Sequence, residues 1–109
     1  MDLPPLEVEV FFESGSSTVS QDSSVAQIVA WLNENPNGRL VVEGHTDSIG
    51  SEDYNLRLSR KRARAIKTII VAEGNVPARR IKSVGFGESK PAYKDDDNKN
   101  RRVRIHVMK

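Results

Sequence analysis

The chain has 109 residues and a formal net charge of +2, with 37% hydrophobic and 29% charged residues. That composition fits one domain, numbered 1–109, with one core. It is polar without looking disordered, and no apolar run approaches a membrane span. The lack of cysteine excludes a disulfide scaffold, a thiol nucleophile and the usual zinc motifs, and leaves the redox compartment open.

The start, Met1-Asp2-Leu3-Pro4-Pro5, has neither the basic nor the apolar region of a signal peptide. Leu6 to Phe12 alternates apolar residues with glutamate, the period of a half-buried strand. Ser14-Gly15-Ser16-Ser17 reads as a loop. Val25, Ile28, Val29 and Leu32 predict an amphipathic helix from about 21 to 34, stopped by Asn35-Pro36-Asn37-Gly38. Trp31 is expected partly buried on it. Leu40-Val41-Val42 begins a second strand, which runs into Gly44-His45-Thr46-Asp47.

After a turn, Ser51 or Asp53 caps a second helix over about 53–73. Leu58, Ala65, Ile66, Ile69 and Ile70 form its stripe, and Gly74 is placed for a left-handed end. A third strand is expected around Ile81 to Phe86. A polar loop follows over 88–100, and a last strand covers Arg102 to Met108. The order is β-α-β-α-β-β, an α+β fold with two helices packed on a mixed four-stranded sheet and right-handed crossovers. The final two strands, joined without a helix, predict an antiparallel edge.

Charge is divided along the chain. Residues 1–56 hold one basic residue against ten acids, a net −9; residues 57–109 hold sixteen against five, a net +11. Opposed halves either pair inside the fold or present both signs to a zwitterionic ligand. The basic half also admits nucleic acid or another polyanion as partner. Arginines not interleaved with aromatics count against that.

The stretch Val42 to Ala65 carries the chemistry. Asp47 lies past the carboxyl end of a strand, the side where α/β sheets bind ligands. A helix N-terminus with free N–H groups follows. Arg62, four residues after Leu58, points toward the core side, where a guanidinium calls for a planar anionic partner. A carboxylate and an arginine at one cleft suit an amino acid head group. The plainer alternatives are a turn aspartate at 47 and an internal ion pair at Arg62.

Gly44-His45-Thr46-Asp47, Gly50, Tyr54-Asn55, Leu58-Ser59 and Arg62-Ala63 together resemble the signature of the OmpA-like C-terminal domain. That peptidoglycan-binding domain also occurs in Pal-type lipoproteins and MotB-type stator proteins. Phe11-Phe12-Glu13, Arg80-Ile81, Gly85-Phe86-Gly87-Glu88 and Asn100-Arg101-Arg102-Val103 are similar to its flanking motifs, so the resemblance covers about 7–108.

The resemblance implies non-catalytic binding of the peptidoglycan stem at its diaminopimelate, with Asp47 taking the ammonium and Arg62 the carboxylate. Asn55, Leu58, Thr46 and Arg101 match further site positions. It also implies the periplasm and a parent anchored in the envelope. Membrane association would come only through other parts of that parent. No cofactor and no metal is implied. Pro91 to Asn100 departs from the family pattern. It is shorter, carries Asp95-Asp96-Asp97, and lacks the arginine usual there.

His45 and His106 read as structural, and the triple aspartate lacks calcium-loop spacing. The basic helix face reads as solvated, or as drawn to an anionic cell-wall or membrane surface. A hydrolase using Asp47 with Glu52 or Asp53 would need two opposed carboxylates in a long cleft. A Ser59-His45-Asp47 set lacks a nucleophile elbow. Neither enzyme reading is expected to hold.

Overall fold

A computed structural model describes residues 3–19, 23–90 and 100–108. Strand β1 spans Glu7–Phe11, helix α1 Ser23–Glu34, β2 Leu40–Gly44, α2 Glu52–Gly74, β3 Ile81–Gly85 and β4 Arg102–Val107; a short 3-10 turn, Ala78–Arg80, precedes β3. The loop read over 91–99, with its triple aspartate, lies outside the described residues.

The elements agree with the sequence periodicities, but the strand order corrects one expectation. The sheet runs β1-β4-β2-β3, so β4 is central and the edges are β1 and β3. Strand β4 is antiparallel to both β1 and β2, while β2 and β3 are parallel. The physical reason is charge. On the face away from the core, β4 presents Arg102, Arg104 and His106. Register sets Arg104 opposite Glu9 on one side and Glu43 on the other. Arg104 bonds Glu7 and reaches Glu43 at 3.5 Å; Arg102 Nε lies 3.2 Å from Glu9, and His106 bonds Glu43. A cationic strand between two acidic ones satisfies all three, whereas at an edge it would meet only one. Part of the opposed charge of the two halves is therefore paired inside the fold.

The other face carries the core. Val8, Val10, Leu40, Val42, Val103 and Ile105 point to one side and meet Ile28, Leu32, Ala63, Ile66 and Ile70 of the helices. Trp31 is buried more fully than the sequence suggested, because its indole N–H donates to the Pro4 carbonyl at 3.0 Å. Helix α2 begins with Ser51, whose hydroxyl accepts from the Tyr54 amide. Its left-handed terminus is Asn75 (φ 49°), not Gly74, which is still helical. Asn tolerates that conformation through its short polar side chain. Arg80 donates to the carbonyls of Leu32, Asn35 and Gly38, closing the α1 terminus that lacks a basic residue of its own.

One glycine sets how closely α2 approaches the sheet. A Cβ on Gly44 would collide with the Ser59 backbone carbonyl. That approach brings the first half of α2 over the carboxyl end of β2.

Candidate functional site

Beyond β2 the backbone is tied down residue by residue. His45 N–H donates to the Arg102 carbonyl and Thr46 N–H to the Gly87 carbonyl, at 2.8 and 2.9 Å. The Thr46 hydroxyl donates to the Asp47 carbonyl. Gly87 N–H in turn donates to Ser59 Oγ on α2. The loop after β2, the turn after β3 and helix α2 thus hold one another. Gly50 turns the loop into the helix with φ 97°, a conformation that L side chains rarely adopt.

Asp47 is buried. Its Oδ1 accepts from the Ile49 amide at 3.1 Å, and its Oδ2 lies 3.3 Å from Arg101 Nη1. Arg101 also donates from Nε to the Phe12 carbonyl. The first arginine of the closing motif therefore reaches Asp47 across 54 residues of sequence.

Arg62 is fully buried, at 0% exposure. A planar anionic partner was expected; the guanidinium instead donates to three backbone carbonyls. Nε bonds Ser16 at 2.7 Å, Nη1 bonds His45 at 3.0 Å and Nη2 bonds Glu13 at 3.0 Å. Its carbon also lies 5.2 Å from the centroid of the Phe12 ring. Burial pushes its pKa down to about 10, with the nearby Asp47 charge acting upward and that of Arg101 downward. It therefore remains charged at neutral pH. The internal ion pair considered for Arg62 and Asp47 forms between Arg101 and Asp47 instead. The reason is reach, since the fork of Arg62 is turned toward the carbonyls of the loop after β1.

Asn55 is also buried. Its amide donates to Glu88 at 3.0 Å, and its Oδ1 has no partner among the described residues. A buried amide oxygen without a donor costs free energy unless something supplies one. Leu58 is buried on the same side of α2, outside the main apolar cluster. Thr46 and Arg101 contact Asp47 directly, Arg62 holds the carbonyl of His45 two residues before it, and Asn55 joins them through the Gly87-Glu88 turn. His45, not assigned to the site, carries the carbonyl that Arg62 holds. Its ring stacks on Phe86, and its Nε2 donates to the Glu43 carboxylate at 3.3 Å. Burial, and then the charge of Arg102, keep its pKa below the usual histidine value.

Two guanidinium groups beside one carboxylate leave an excess positive charge next to a fixed negative one. Both signs of charge therefore stand side by side, an arrangement that can meet the ammonium and the carboxylate of one amino acid head group. Among the described residues no cluster of histidine, aspartate and glutamate is placed to hold a metal ion.

Residues 11–104 match the model of the OmpA family. The chain is 34% identical over 108 residues to the outer membrane porin F of Pseudomonas aeruginosa, covering 94% of this chain and 31% of the porin. It is 35% identical over 100 residues to the peptidoglycan-associated lipoprotein of Agrobacterium fabrum, covering 86% of this chain and 56% of the lipoprotein. The solved peptidoglycan-associated lipoprotein of Burkholderia pseudomallei superposes with a TM-score of 0.84 at 25% identity, over 92% of this chain and 89% of that one. The chain spans about a third of the porin's length and little more than half of the curated lipoprotein's.

Proposed function

The chain belongs to the OmpA family, and on that premise we propose that it binds peptidoglycan without cleaving it, at the diaminopimelate of the stem peptide. It thereby tethers an envelope protein to the cell wall from the periplasm. The observation that carries this reading is the buried Asp47 carboxylate held at 3.3 Å from Arg101, with the Arg62 guanidinium charge close enough to bear on it. The association with peptidoglycan in the names of the two lipoproteins supports the partner.

The binding event is an exchange of ion pairs. The ligand ammonium displaces Arg101 from Asp47 and takes up the Oδ2 lone pairs. The ligand carboxylate then meets Arg101 and the two Arg62 N–H groups, one on each terminal nitrogen, that the backbone carbonyls leave over. Those N–H groups are shielded in this conformation, so entry shifts the 14–17 or the 47–50 segment. The Asn55 oxygen accepts from the ligand's donors. The Thr46 amide is committed to Gly87, which leaves its carbonyl for the ligand. Leu58 supplies apolar contact for the aliphatic chain. Every one of these roles is positional or electrostatic, and none calls for a nucleophile.

The same geometry withdraws part of the basic half from polyanion binding. Arg62, Arg80, Arg101, Arg102 and Arg104 all spend their guanidinium groups inside the fold.

Co-sedimentation with purified sacculi tests the reading. Wild type is expected in the pellet, and Asp47→Asn in the supernatant with an unchanged circular dichroism spectrum. No soluble fragments should be released. An Asp47→Asn chain that pellets like wild type would remove Asp47 from the site. Tight duplex binding with a steep salt dependence would carry the polyanion reading instead.

A further inference from the structure

A second concave surface lies on the other side of α2. A groove of about 410 Å³ runs between that helix and the edge strand β3, lined by Arg60, Arg64, Ser83, Val84, Gly85 and Phe86. Among the described residues its lining holds two cations and no acid. Both arginines are exposed, and among the described residues neither has a hydrogen bond or an ion pair. Lys82 on the same strand is exposed as well.

The strand supplies the second half of the argument. Among the described residues strand β3 pairs only with β2. Phe86 N–H donates to the Gly44 carbonyl, so Phe86 faces β2. The alternation of a strand turns Lys82 and Val84 the same way. Ser83 and Gly85 therefore aim their N–H and C=O groups outward along the groove. An outward row of alternating donors and acceptors is a template for another extended chain. A phosphate would be attracted by the amides and repelled by the carbonyls between them, whereas a peptide backbone matches both.

We propose that this groove is a docking site for an extended acidic peptide, which adds to β3 as a fifth strand and places alternate carboxylates on Arg60 and Arg64. The spacings agree. Arg60 and Arg64 are four helical residues apart, an advance of about 6 Å. Alternate side chains of a strand recur about every 6.6 Å. The ligand therefore reads acid-any-acid, with both acids on the helix side of the sheet. The unpaired arginines give charge complementarity, and the bidentate fork of each suits a carboxylate.

The test uses a fluorescein-labelled Val-Glu-Val-Glu-Val peptide, with anisotropy for affinity and amide hydrogen exchange for placement. The peptide is expected to bind, and to slow exchange at the Ser83 and Gly85 amides. The double variant Arg60→Glu/Arg64→Glu is expected to weaken binding at least about tenfold. Its fold should survive, since both side chains are exposed and without partners. Asp47→Asn should bind the peptide like wild type, which separates this groove from the site at Asp47. A Val-Lys-Val-Lys-Val peptide should not bind. Absence of binding would overturn the proposal. So would binding that leaves Ser83 and Gly85 exchange unchanged, or displacement of the peptide by equimolar inorganic phosphate.

Discussion

Replacing Arg62 by alanine is expected to damage the fold before it damages a ligand contact. The side chain is fully buried and donates one hydrogen bond each to the carbonyls of Glu13, Ser16 and His45. Hydrogen bonds from a charged group contribute about 1.5–3 kcal/mol each. Three of them sum to roughly 4.5–9 kcal/mol, and water entering the vacated space recovers part, leaving a cost of about 3–5 kcal/mol. A domain of this size has only about 5–15 kcal/mol to lose. Arg62→Lys keeps the charge but has no fork to span three carbonyls, and should lose about half as much. Asp47→Asn is the control. It keeps the Ile49 amide bond and gives up the charge-assisted contact with Arg101, a loss of about 1.5–3 kcal/mol, below that of Arg62→Ala. Urea unfolding of the three variants, followed by circular dichroism, measures all three numbers. An Arg62→Ala chain within about 1 kcal/mol of wild type would refute the reasoning. The loops after β1 and β2 would then stand without the guanidinium, and Arg62 would be reserved for ligand alone.

Three further outcomes follow from the geometry. Because burial depresses the pKa of His45, the unfolded chain takes up that proton first. Stability should therefore be held above pH 6.5 and fall as the pH drops below it. In His45→Gln the slope of stability between pH 7 and 5 should be shallower, by urea midpoint at each pH. Gly44→Ala forces a methyl into the Ser59 carbonyl and should prevent folding, whereas Gly50→Ala strains only one loop residue, at about 1 kcal/mol. Thermal melts of the two separate them. Arg80→Ala uncouples the end of α1 from β3 and should cost about 2–4 kcal/mol. At a temperature where it stays folded, its binding to sacculi should be that of wild type.

The elements were legible because each carries its own period. Leu6 to Phe12 and Arg102 to Val107 alternate, and Val25, Ile28, Leu32, Ile66 and Ile70 fall at helical spacing. The position of β4 was not legible from period alone. It depends on which strands carry the opposite charge at the same register, and that is visible only when Glu7, Glu9 and Glu43 are set beside Arg102, Arg104 and His106. The triple alternation was present in the sequence and offered a usable signal. At the site, the motif placed Asp47, Asn55, Leu58 and Arg62 on one loop and one helix face. The partners of Arg62 left no trace in it, because backbone carbonyls of Glu13 and Ser16 have no side-chain signature. Likewise Asn75 took the left-handed end of α2 beside a glycine that sequence statistics favour. There the helix ran one residue further, as Ser51 and Asn75 fixed its two ends.

Calorimetric titration of the domain with diaminopimelate, beside Asp47→Asn and with lysine as a second ligand, tests the central claim most directly. The account predicts binding of diaminopimelate, whose second carboxylate lysine lacks, weaker or no binding of lysine, and loss of binding in the folded variant. Equal heats for wild type and Asp47→Asn, or no heat with diaminopimelate, would contradict it.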